Sequence, residues 1–209
     1  MRRTDHRQTP ALNQERRRRV AFEAARLMAT TGLADYHQAK IKAAQRLGIS
    51  DEAALPRNSE IEEQLREYQR LFQNADQPRE LHRRREAALK AMTFFERFEP
   101  RLVGSVLDGS ADGHTAVCLH LYDDDADAVA RFLIDADIPA QARTRRLRLD
   151  RERDGDFPEW CFSADGVAFE ITVLPTTLLR QAPLSPVDGK PMRRASMTTL
   201  RDLLADGTL

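Results

Sequence analysis

At Arg101 the chain changes its period. Before that point apolar residues recur at helical spacing; after it they fall in short runs rich in Val, Leu, Ile and Phe. Helices gathered first and strands gathered second read as an α+β chain, because segregated elements build separate layers instead of alternating βα units. The pattern predicts a helical domain over residues 14–98 and a small mixed sheet domain from residue 100. An extended segment with a short terminal helix follows over 176–209.

The helical half is legible in its caps and stripes. Residues 1–13 are polar and contain Pro10, and are expected to form a disordered tail. Val20, Ala24, Leu27 and Met28 mark one face of a helix from Gln14 to about Thr31. Asp35 is placed to cap a second helix that Gly48 closes. Ser59-Glu60-Ile61-Glu62 has the form of a capping box opening a helix with Ile61, Leu65, Tyr68 and Phe72 on one side. Pro78 suits the first turn of a fourth helix with Leu81, Ala88, Met92 and Phe95 on one side, which Pro100 stops.

Beyond Arg101, Leu102–Leu107 and Thr115–Tyr122 read as strands, Asp124–Asp135 as a helix and Ala140–Leu149 as an exposed strand. Glu159–Ser163 and Val167–Leu174 flank Ala164-Asp165-Gly166, a hairpin signal. Residues 175–195, with Pro175, Pro183, Pro186 and Pro191, read as an extended segment over the surface.

The chain has no net charge, but residues 1–50 carry eleven Lys/Arg against four Asp/Glu. Such a basic end attracts nucleic acid or an acidic partner, or is simply a solvated terminus. Cys118 and Cys161 sit in apolar runs and read as buried thiols rather than a disulfide or metal pair. No apolar run has the length of a membrane span, and the Arg-rich start lacks the apolar core of a signal peptide, so a cytoplasmic location is expected.

The residues that bear on function are Gly104-Ser105 after a short strand, the strand ending Leu119-His120-Leu121-Tyr122, the run Asp123-Asp124-Asp125, and Glu170 within Val167-Ala168-Phe169-Glu170-Ile171. This order resembles the nucleotidyltransferase fold of the polymerase beta superfamily, over roughly residues 100–175. The resemblance implies that Gly104 and Ser105 hold nucleotide phosphates and that Glu170 supplies a late-strand carboxylate. Two alternate acids on the preceding strand would bind the catalytic metals. His120 and Tyr122 occupy those alternate positions, so the resemblance implies a fold whose metal motif is degenerate and a protein that binds without catalysing. Gly104, Ser105, His120, Tyr122 and Glu170 are the candidate ligand-binding residues.

Two alternatives stand beside this reading. Asp123 and Asp125 lie two apart and can share a strand face, so they are candidate metal ligands with Glu170 in an active transferase, the one case that calls for Mg²⁺. They equally suit the start of the following helix. Arg143, Arg145 and Arg148 are candidate contacts to a nucleic-acid backbone, or charges guarding an edge strand. The expected partners are therefore a nucleotide or RNA, with a protein partner for the helical domain.

Overall fold

The computed structural model describes residues 8–31, 33, 35–51, 54–72, 77–150 and 152–206. The chain divides into two compact units between Asn74 and Ala75.

Among its described residues the first unit holds three α-helices, α1 (Gln8–Thr31), α2 (Tyr36–Arg46) and α3 (Asn58–Phe72). Helix α1 starts at Gln8, earlier than Gln14, because a proline within the first turn removes no intrahelical hydrogen bond; residues 1–7 of the expected tail lie outside the described residues. Val20, Ala24, Leu27 and Met28 meet Ala39 and Ala43 of α2 and Ile61 and Leu65 of α3 in one buried cluster. Alanine at these positions lets the helix axes approach closely. Asp35 caps α2 as its sequence predicts, accepting from the backbone N–H of His37 at 2.7 Å and Gln38 at 3.0 Å. The cap of α3 differs from the expectation. Glu60, not Glu62, reaches back to a backbone N–H, that of Arg57, at 2.6 Å. Glu62 instead accepts from the Tyr36 hydroxyl of α2.

The second unit opens with α4 (Gln77–Phe94), which the periodicity assigned to the helical domain. It belongs with the sheet because its apolar stripe, Ala88 and Met92 running on to Phe95, joins the buried cluster of the strands. Its polar anchor is Arg84, 2% exposed, whose guanidinium donates to the carbonyls of Thr115 at 2.7 Å and Gly113 at 2.6 Å and pairs with Glu80.

Five strands follow: β1 (Arg101–Val103), β2 (Val117–Tyr122), β3 (Gln141–Arg148), β4 (Asp154–Ala164) and β5 (Val167–Leu174). Helix α5 (Ser105–Asp108) lies between β1 and β2, α6 (Ala128–Asp135) between β2 and β3, and α7 (Met197–Asp206) closes the described chain. The sheet order is β1-β2-β5-β4-β3, with β2 and β5 parallel and every other pair antiparallel. The first strand stops at Val103, short of the expected Leu107, since Gly104 turns the chain at φ 72° and ψ −156°. The last two strands form the expected hairpin, with positive φ at both Asp165 and Gly166. Strand β4 starts earlier than its composition indicates; Asp154, Gly155 and Pro158 are poor strand formers, but they pair only with β3, and pairing to β5 begins at Glu159.

Alternation gives the sheet two different faces. Val117, Leu119, Leu121, Phe169, Ile171 and Val173 point to one side, under a cluster shared with α4, α6 and α7. The other side carries Cys118, His120, Tyr122, Glu170 and Thr172. Its Tyr122 end is closed by residues 175–195, whose Leu178 packs with Tyr122, Leu147 and Leu174. That segment returns to the sheet edge at Leu102, which exchanges two backbone hydrogen bonds of 2.9 Å with Ala195. No helix among the described residues is long and apolar enough to cross a membrane.

Candidate functional site

The polar face is built by register. Val103 pairs with Cys118, Cys118 with Glu170, and Glu170 with Cys161, so these residues form one row across β1, β2, β5 and β4. The next row runs Arg101, His120, Thr172, Glu159, Arg143. Side chains two apart on one strand share a face, so both rows open to the same side. Arg145, two beyond Arg143, joins them.

Gly104 follows Val103, the β1 member of the first row. A Cβ there would lie 3.9 Å from the Cys118 Cβ, so space admits a side chain. Its backbone does not, because positive φ with ψ near 180° is tolerated almost only by glycine. Cys118 Sγ donates to Glu170 Oε2 at 3.7 Å, and burial pushes the thiol far up, so it stays protonated. Gly104, Cys118 and Glu170 are therefore brought together, while Ser105 opens α5 and takes no part in these contacts.

His120 sits one row further in and is 3% exposed. Its Nδ1 is buried without a hydrogen-bond partner. Burial first, then the charges of Arg194 and Arg145, push its pKa down to about 3, so the imidazole is neutral. Tyr122 is taken up by the closed end of the face. Its hydroxyl accepts from Arg194 Nη1 at 2.8 Å, and the same guanidinium holds the carbonyls of Leu178 and Leu179.

Three residues on this face escape the sequence reading: Glu159, Thr172 and Arg194. Glu159 is 6% exposed, and burial raises its pKa while Arg145, whose Nη1 lies 4.0 Å from Glu159 Oε1, opposes the rise. A carboxylate between Pro158 and Trp160 in a strand was a signal of the same kind as Glu170. Thr172 and Arg194 carried no local signal, since their place depends on register and on the path of residues 175–195.

The arginines of β3 separate by face. Arg143 and Arg145 project together beside Glu159. Arg148 points to the opposite side, where its Nε donates to the Asp150 carbonyl at 3.0 Å, and Arg146 pairs with Asp154 at 3.1 Å. The three candidates thus do not make one stripe.

The acidic run does not join the site. Asp123 Oδ1 accepts from the Asp125 N–H at 2.8 Å and Asp125 Oδ1 from the Asp127 N–H at 3.0 Å, while Asp125 also pairs with Arg131. Asp124 binds the Thr176 backbone N–H at 2.9 Å. These are turn contacts ahead of α6. Asp123 follows the far end of β2, roughly 16 Å along the strand from the position opposite Glu170. Metals shared between transferase carboxylates require them within a few ångströms. Asp123 or Asp125 with Glu170 is therefore not a metal set.

The face also does not suit Mg²⁺ by another route. That ion demands close oxygen ligands in octahedral geometry. The positions on β2 offer a protonated thiol, a neutral imidazole and a phenol already bound to Arg194. Among the described residues, no group of three or more His, Cys, Asp and Glu side chains is arranged to hold a metal ion.

An apolar cavity of about 290 Å³ lies on the helix-covered side, between Ala87, Phe94 and Phe95 near α4 and Phe162 and Phe169 of the hairpin. It contains none of the polar-face residues. Comparisons with protein-family models, curated proteins and solved structures give no match.

Proposed function

We propose that this is a nucleotidyltransferase-like protein that binds a nucleotide on the polar face of its sheet without transferring it. The observation that carries this reading is that the Gly104 turn adjoins the paired residues Cys118 and Glu170. The glycine turn after β1, the second strand and the late-strand carboxylate meet on one face, although separate stretches of sequence supply them. The absence of an acid pair at His120 and Tyr122 argues for binding rather than chemistry, because phosphoryl transfer depends on charge neutralisation at the reacting oxygens.

A single nucleotide fits better than an extended nucleic acid. Arg143 and Arg145 face the site, whereas Arg146 and Arg148 face away and are engaged elsewhere. Backbone tracking requires a continuous basic groove.

Thermal unfolding in the presence of each common nucleoside triphosphate tests the reading. Binding to the folded state raises its stability by RT ln(1 + [L]/Kd), so a ligand at about 5 mM shifts Tm measurably if Kd is at or below roughly 1 mM. At least one triphosphate is expected to do so, with no labelled nucleotide appearing in any acceptor. If none shifts Tm, the reading fails.

A further inference from the structure

We infer that the polar face takes nucleotide phosphates directly on Arg143 and Arg145, with no divalent metal between protein and ligand. The inference rests on the nucleotide-binding reading and adds how the ligand's charge is met. A transferase fold that binds triphosphates normally faces up to four negative charges, which bound metal ions neutralise. Here the β2 positions that would ligate those ions present Cys118, His120 and Tyr122. None offers a free anionic oxygen, and among the described residues the carboxylates on the face, Glu170 and Glu159, lie on neighbouring strands in adjacent rows with no third His, Cys, Asp or Glu arranged to hold a metal ion with them.

The positive charge comes instead from the other edge of the sheet. Arg143 pairs in register with Glu159 and so ends the row that contains His120 and Thr172, whereas Arg145, paired with Phe157, lies one row on and reaches back towards Glu159. Arg143 makes a 3.2 Å bond to Gln141 Oε1. The contact of Arg145 to Glu159, at 4.0 Å, is at the outer limit of an ion pair. A guanidinium carries five N–H donors in a planar fork suited to two phosphate oxygens at once. Both arginines thus keep donors for an anion. On the same face, three strands from β3, His120 Nδ1 is buried without a hydrogen-bond partner.

Titration calorimetry on the full chain decides the matter, using ATP, GTP, CTP and UTP in EDTA and then in excess Mg²⁺. The expected result is binding in EDTA at least as tight as with Mg²⁺, because the metal lowers the ligand's charge and competes for its phosphate oxygens. Replacing either arginine, as Arg143→Gln or Arg145→Gln, is expected to weaken binding in EDTA by about tenfold or more, the usual loss for a charge-assisted hydrogen bond. Arg146→Gln, on the opposite face, should leave the affinity unchanged, and Tm measured on each variant separates misfolding from lost contact. Binding seen only with Mg²⁺ overturns the metal-free inference and leaves the nucleotide reading standing. Unchanged affinity in both arginine variants overturns the arginine assignment. Absence of binding in both buffers removes the nucleotide reading itself.

Discussion

His120→Leu should abolish a specific part of the protein's acid sensitivity. The imidazole is 3% exposed, and its pKa falls from 6.5 to about 3 through burial and the nearby Arg194 and Arg145 charges. The folded pKa is depressed, so the unfolded chain binds the proton first as pH drops. Stability attributable to this group is unaffected above pH 6.5 and is lost progressively from there down to about pH 3. The slope approaches ~1.4 kcal/mol per pH unit. Between pH 7 and pH 5 the wild-type chain therefore loses about 2 kcal/mol that the leucine variant retains. The opposite trend from Glu159, whose raised pKa favours the folded state at low pH, is present in both proteins and cancels in the difference. Urea unfolding followed by the fluorescence of Trp160, the chain's single tryptophan, reports on this sheet. Equal loss of stability in the two proteins over that interval would refute the burial argument.

Gly104→Ala is expected to lower stability by about 1–3 kcal/mol through backbone strain alone, since φ 72° with ψ −156° excludes a Cβ while the neighbouring space does not; an unchanged melting temperature contradicts this. Arg84→Met leaves the Thr115 and Gly113 carbonyls without their donor in a buried setting and should cost ~3 kcal/mol by chemical denaturation. A loss under about 1 kcal/mol would mean that water or a shifted loop satisfies those carbonyls.

Local features were readable in advance. The Asp35 cap, the Asp165-Gly166 hairpin and the apolar stripes of α1 and α4 follow from short-range backbone geometry, and the structure reproduces them. Misplacements occurred where a distant contact outweighed a local signal. Glu62 has the capping-box position relative to Ser59, yet Tyr36 of another helix engages it, and Glu60 makes the backbone contact. Helix α4 looks like its predecessors in sequence, but its stripe finds the larger apolar surface of the sheet. Asp123 and Asp125 lie two apart as a strand pair would, yet the strand ends at Tyr122 and their carboxylates close turns.

By itself, the sequence determined that helices precede strands, where most elements lie, and which side chains share a face within one strand: His120 with Cys118 and Tyr122, Arg143 with Arg145. It also singled out Gly104 and Glu170. Only the tertiary structure decided that β5 lies parallel beside β2, that Glu170 stands opposite Cys118, and that Glu159, Thr172 and the β3 arginines complete the same face. The division is physical. Side-chain alternation is a property of a single extended backbone, whereas strand order and register are chosen by burial over the whole sheet, between residues far apart in the chain.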